Sequence, residues 1–390
     1  MPEFTDPLWC DRHTVFVTLD LTGHTDSQHA LSLPPSNSVL PADAGGAGHN
    51  GAVVPQTERT PADHGFRLPA PDATHERVII AWPTMRRIEF WRGHLGAARD
   101  TYALIARAIA EYEPVLVIAD EGEGRAAQGW LGSGIEVLEL PIDDSWIRDN
   151  GPFFVRNDAG ERAAVQFRFN GWGQRLAPWD RDASVGERLA AHLGLPFFVA
   201  PMVLEGGAVA VDGAGTLVAT ESSILNENRN PGMTKRDAET ILRDYLGVHT
   251  IVWLARGLHD DWGTDGHVDN VVAFTRPGHV LLQGTTDASD PDWHTAIENR
   301  RRLEEVGIEV TEIDVLPHVQ CFDEMVEVPY LNFYVANGAV FVPLAGAAAD
   351  TEIVSRIAAH FPGHRAVGVP GTVLAYGGGG VHCITLPVPS

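Results

Sequence analysis

From Phe66 to its C-terminus the chain keeps returning to one texture: a short apolar run bounded by Gly or Pro, then a stretch whose apolar residues recur three or four apart. Runs of the first kind read as strands, and the spacing of the second is the inner face of a helix. Strands are expected at Arg77 to Trp82, Val115 to Ala119, Ile135 to Leu140, Phe153 to Val155, Thr216 to Thr220, Thr250 to Leu254, Val268 to Phe274, His279 to Gln283, Glu309 to Ile313, Leu331 to Ala336, Ala339 to Pro343 and Thr372 to Tyr376. Helices are expected at Trp91 to Tyr112, Val185 to Leu193, Lys235 to Leu246, Asp292 to Glu305 and Asp350 to Phe361. Alternation of the two kinds through the whole region makes the class α/β. Residues 1 to 63 lack this texture. A short alternating run at Val15 to Leu19 gives way to a mixture of Ser, Pro, Gly, Ala and His, which reads as a disordered extension before a single domain over 64–390.

A chain of 390 residues, 44% of them hydrophobic, can bury one large core or two modest ones. Its net charge of −24 argues against a phosphate backbone as partner and favours attraction of a small cation, although acidity also serves solubility alone. Cys10, Cys321 and Cys383 are too scattered for a disulfide framework, and no CxxC pair is present, so a reducing cytoplasm is the expected location. No apolar stretch approaches the roughly 18–20 residues a membrane span needs, and no basic n-region precedes an apolar one. Nucleotide binding is not indicated, because neither GxGxxG nor GxxxxGK[ST] follows a strand.

Four segments carry more reactive side chains than a scaffold requires. The run Gly377-Gly378-Gly379-Gly380 delivers His382 and Cys383 at the start of the apolar Ile384-Thr385-Leu386. Glycines let backbone approach a ligand closely and a cysteine there could present its sulfur, yet a lone cysteine can equally be a buried structural residue. In Gly266-His267-Val268-Asp269-Asn270, a strand through Val268 sets His267 and Asp269 on one face, an imidazole for proton transfer beside a carboxylate. The same pair could bind a metal or complete a structural network. Asp143 to Pro152 packs carboxylates, Arg148 and Trp146 between two strands, which is either a solvated loop or a cradle offering a planar cation both carboxylates and an aromatic face. Glu205, among apolar residues before Gly206-Gly207, needs a partner, and an imidazolium would suit.

Taken in order, these motifs resemble those of the agmatine deiminase family, related to the bacterial peptidylarginine deiminases. The resemblance runs from about Phe66 to Leu386. It is carried by Phe66-Arg67-Leu68-Pro69-Ala70, His75-Glu76-Arg77, Asp144-Ser145-Trp146-Ile147-Arg148-Asp149, Glu205-Gly206-Gly207, Asn228-Arg229-Asn230-Pro231, Gly266-His267-Val268-Asp269-Asn270, Tyr330-Leu331-Asn332-Phe333 and Gly377-Gly378-Gly379 with His382-Cys383-Ile384-Thr385. It implies the pentein fold, a five-bladed α/β propeller of ββαβ units with its site in the central channel, and neither cofactor nor metal. By position Cys383 is the nucleophile, His267 the general acid and base, and Glu205 the acid that orients it. Asp149 and Asp269 grip the guanidinium, while Trp146 and Asn332 complete the substrate pocket. Four positions depart from the family pattern: Pro71-Asp72 stands for Glu-Trp, Ala208 for Asn and Gly380 for Asn.

The implied substrate is agmatine, a small cationic guanidine. Copies of the chain itself, in a homo-oligomer, are the other partner to consider, and neither nucleic acid nor membrane is expected. Free or peptidyl arginine is an alternative, although its carboxylate calls for a positive partner in the pocket. A metal-dependent hydrolase using His267, Asp269, His382 and Cys383 is a rival of another class. Adjacent His382 and Cys383 on an extended segment would face opposite ways, which counts against a common metal. A non-catalytic module of the same fold would be expected to have lost the reactive groups, and all five are here.

Overall fold

Five times along the chain a strand folds back antiparallel onto a second, and a helix then carries the chain to a third strand parallel to the second. The structure, a computed structural model, describes residues 18–19 and 59–390. Phe153–Arg156 pairs with Arg162–Arg168, and helix Val185–Leu193 leads to Phe197–Val203. Val209–Val211 pairs with Thr216–Thr220, and helix Lys235–Leu246 leads to Thr250–Leu254. Val272–Arg276 and His279–Gln283 follow, with helix Trp293–Glu305 leading to Glu309–Ile313. Tyr334–Ala336 and Ala339–Leu344 come next, with helix Asp350–Ala358 leading to Arg365–Pro370. The last blade joins both ends of the chain. Thr385–Pro389 pairs antiparallel with His75–Ala81, helix Leu95–Ile109 leads to Val115–Ala119, and helix Gly124–Leu131 leads to Glu136–Glu139. Parallel neighbours cannot be joined by a tight turn, so every blade requires its helical crossover. This is the pentein architecture.

The crossover helices are delimited by ordinary local chemistry. Lys235–Leu246, for example, opens with a Thr234–Asp237 capping box and closes at Gly247, whose φ of 65° favours a residue without a Cβ. Their apolar faces and the strands build five clusters of buried side chains between and within the blades. The first strand of each unit lies innermost. Phe153, Val209, Val272, Tyr334 and Leu386, one from each, surround a common axial cavity.

Several expected elements take a different form. Thr372–Tyr376 is a short helix instead of a strand, with Leu374 and Tyr376 turned into the core. Val268–Asn270 is a 3-10 turn, so the strand begins at Val272, and the strand expected from Leu331 begins at Tyr334. The helix expected from Trp91 starts at Leu95. The two shortened strands share a cause: residues 268–271 and 331–333 are buried whatever their backbone does, so an apolar run there does not distinguish a strand from a turn. Strands at Arg162–Arg168, Phe197–Val203, Arg365–Pro370 and Thr385–Pro389 were not anticipated, nor was the hairpin His318–Cys321 with Glu324–Glu327. Of the expected extension over 1–63, two parts are described. Thr18–Leu19 adds an antiparallel strand outside Arg365–Pro370, and the residues from Arg59 lead into a 3-10 turn at Ala62–His64. The remainder, with Cys10, lies outside the described residues. Among the described residues no helix is long and apolar enough to cross a membrane.

Candidate active site

Each innermost strand is entered through a loop, and the five loops meet at one end of the axis. They comprise the helical turn Ile147–Asn150, the turn Gly206–Ala208, the turn Val268–Asn270, residues 331–333 and the glycine run with residues 381–384. Burial there is nearly complete: Asp149, Glu205, His267, Asp269, Asn332 and Cys383 are each 6% exposed or less. Charged groups so placed must pair or lose their charge.

They pair. Asp149 accepts from Trp172 Nε1 and from the Gly207 amide, both at 2.9 Å, and its Oδ2 lies 3.9 Å from His267 Nδ1. On the far side of the imidazole, Nε2 is 3.8 Å from Glu205 Oε2. Asp269 Oδ2 accepts from His382 Nδ1 at 2.8 Å and stands 3.6 Å from Cys383 Sγ. His267 Nε2 and Asp269 Oδ1 are buried without a hydrogen-bond partner, so the site holds polar capacity that the protein itself does not satisfy. Gly207 forms the floor: a Cβ on it would come within 2.7 Å of His267 Nδ1, 2.9 Å of Asp269 Oδ2 and 3.0 Å of Asp149 Oδ1.

Electrostatics follow from this packing of acids around one imidazole and one thiol. Burial disfavours the imidazolium, yet Asp149, Glu205 and Asp269 outweigh it and push His267 up to about 9. Burial pushes Asp149 up to about 6, against the pull of His267. Asp269 and Glu205 remain below the ordinary carboxylate range despite burial, the former through His382 and the latter through Arg229. Burial raises the Cys383 thiol, and the charges of Asp269 and Asp149 raise it further. The resting site thus pairs an imidazolium with a neutral thiol.

Trp146 and Asn332, expected in the substrate pocket, are both buried and pack against the loop that carries Cys383. Trp146 stacks on Trp91, with ring centroids 6.2 Å apart, and supports the glycine run: a Cβ on Gly379 would meet its ring at 2.5 Å. Asn332 Oδ1 accepts from the His382 amide at 3.1 Å and lies 3.4 Å from Cys383 Sγ, while its Nδ2 donates to Asn270 Oδ1 at 3.0 Å. Its amide therefore ties the cysteine loop to the histidine loop. Gly380 is needed beside it, since a Cβ there would fall 2.4 Å from Asn332 Oδ1.

Two expectations about orientation are corrected. His267 and Asp269 converge through a turn, not along one strand face. His382 and Cys383 do not diverge, for both lie in a turn and both reach Asp269 Oδ2. Even so, the four residues of the metal alternative do not gather their ligand atoms. Among the described residues the trio that does, within 4.8 Å of one another, is Asp260, His318 and Glu327 at the surface.

Three contributors were missed. Arg229, fully buried, is the principal partner of Glu205, donating from Nε to both carboxylate oxygens at 2.9 and 3.1 Å. It stands within the Asn228-Arg229-Asn230-Pro231 motif, but nothing in the local sequence says which carboxylate it meets. Trp172 adopts φ 55° between Gly171 and Gly173, and His382 was set aside as the neighbour of Cys383.

The family model described as Porphyromonas-type peptidyl-arginine deiminase matches residues 67–389. The chain belongs to that family. An agmatine deiminase of Pseudomonas aeruginosa is 37% identical over 361 residues, covering 85% of this chain and 97% of that one. One from Pseudomonas putida is 36% identical with the same coverage. The solved structure of the Enterococcus faecalis agmatine deiminase superposes with a TM-score of 0.82 at 31% identity, covering 86% of this chain and 99% of that one. The deiminase family match thus extends over all five blades and the five loops that meet at the axis.

Proposed function

We infer that the chain is an agmatine deiminase, a hydrolase of the C–N bond of a linear amidine, yielding N-carbamoylputrescine and ammonia. The carrying observation is the pair of buried carboxylates, Asp149 and Asp269, flanking one imidazole and one thiol, in a chain matched over nearly its full domain by agmatine deiminases.

A guanidinium is planar, charged and resonance-stabilised, so its carbon resists attack by water. In this reading Asp149 and Asp269 hold it by N–H···O bonds and fix that carbon over Cys383. Its arrival offsets the charges that keep the thiol protonated, and Cys383 gives up its proton to water. Thiolate attack forms a tetrahedral adduct. His267, already an imidazolium, donates a proton to the departing nitrogen, and ammonia leaves an S-alkylthiouronium on Cys383. Neutral His267 then takes a proton from water, whose oxygen adds to the same carbon. Collapse expels the cysteine sulfur, which takes up the proton of the new hydroxyl, and leaves the neutral ureido product. Glu205, held ionised by Arg229, keeps the imidazolium available, while Asn332 and Trp146 brace the loop that carries Cys383. A cytoplasmic location belongs to this reading, because the nucleophile must stay a reduced thiol.

The test is mass spectrometry of protein quenched during turnover of agmatine. A thiouronium adduct on Cys383, absent from Cys383→Ala, is expected, together with a higher kcat/KM for agmatine than for arginine. Ureido product from Cys383→Ala, or a preference for arginine, would overturn the assignment.

A further inference from the structure

The reaction uses one end of the axis. Toward the other end the innermost strands line an open cavity. Its walls are largely apolar, with Pro71, Phe153, Phe274 and Phe333 among them. Arg148, however, also lines it, alongside His382 and Asp269.

Arg148 belongs to the loop that supplies Asp149, but its side chain is turned into this cavity. Its Nε donates to the His382 carbonyl at 3.2 Å, its backbone amide donates to the Cys383 carbonyl at 3.1 Å, and it forms no ion pair among the described residues. Asp269, across the same layer, has its Oδ2 occupied by His382. A half-buried guanidinium that forms no ion pair, in a largely apolar chamber whose lining acid Asp269 is engaged by His382, leaves donors free in a geometry that matches a carboxylate. Apolar walls around a single cation discriminate against a bare inorganic ion, which would lose its hydration for one contact, and favour an anion with a compact apolar body.

We propose that the axial cavity is a second binding site, for a small organic monocarboxylate whose charge meets Arg148 and whose apolar body lies against the innermost strands. Only the layer formed by Arg148, His382 and Asp269 separates it from the substrate site, so the two are distinct but adjacent. This site stands independently of the deiminase reading, and binding alone tests it.

The experiment is calorimetric titration of the full chain with acetate, butyrate, hexanoate and benzoate at constant ionic strength, with butyramide and hexanamide as neutral counterparts. Saturable binding is expected for the acids and not for the amides, tightening about fourfold for each methylene that becomes buried. Arg148→Met is expected to weaken it at least tenfold. Because that change adjoins the cysteine loop, Ala210→Phe is the second variant: it fills the cavity from a half-buried position on its wall while keeping Arg148, and should remove the dependence on chain length. Saturating agmatine on Cys383→Ala should leave hexanoate binding in place. No saturable binding, equal binding of the amides, phosphate binding as tight as hexanoate, unchanged affinity in both variants, or displacement by agmatine would each overturn the proposal.

Discussion

Trp172→Phe isolates one hydrogen bond on which the proposed grip of the substrate depends. The indole N–H donates to Asp149 Oδ2 at 2.9 Å, and the ring packs edge-on against Phe169 with centroids 4.9 Å apart. Phenylalanine keeps an aromatic ring at that position and removes the donor. A hydrogen bond to a charged acceptor contributes about 1.5–3 kcal/mol, and all of it favours the ionised carboxylate. At about 1.4 kcal/mol for each pH unit, Asp149 should move up by roughly one to two units. It already stands at about 6 because of burial. The acid limb of kcat/KM for agmatine, which reports the free enzyme, should therefore move to between about 7 and 8. At pH 7 the ionised fraction falls about two- to tenfold, and near pH 8.5 most of the activity returns. The assay is ammonia release from pH 5 to 10. An acid limb that does not move, or a loss of activity equal at every pH, would show that Asp149 is not the group whose ionisation admits the substrate.

Gly207→Ala should raise KM for agmatine sharply with little change in Tm, because the added methyl occupies the meeting point of His267, Asp269 and Asp149; wild-type KM would refute the geometry. Arg229→Met leaves Glu205 buried without its main partner and should cost about 3–5 kcal/mol of unfolding free energy in urea; a cost below about 1 kcal/mol would mean the pair is structurally idle. His267 stands at about 9 in the folded chain, above its ordinary 6.5, so its contribution to stability is full below pH 6.5 and is lost as pH rises through about 9. Tm should fall across that window in the wild type and much less in His267→Gln. Identical slopes would remove the imidazolium from the account.

How much of the site could be read from the chain depended on what each residue needs. Cys383 behind a run of glycines, Glu205 among apolar neighbours and the carboxylates beside Trp146 stand out because such residues in such company are costly without a purpose. Arg229 did not stand out as part of the site, because a buried arginine is explained only by partners that lie 24 and 36 residues away. The glycine run could be read as freedom to approach a ligand. Its packing shows a further reason, since the rings of Trp91 and Trp146 and the amide of Asn332 leave no room for a Cβ at Gly377, Gly379 and Gly380.

By itself the sequence determined the α/β class and the crossover helices and offered candidates for the reactive groups, because periodicity and unusual residue company are local properties of a chain. Tertiary structure alone decided which turns replace strands at the axis, that both His382 and Cys383 reach one carboxylate, and that Arg148 lines the axial cavity and does not pair with the acid next to it in sequence. These depend on five distant loops meeting in one buried place, where a side chain's direction and protonation are set by neighbours that sequence order does not bring together.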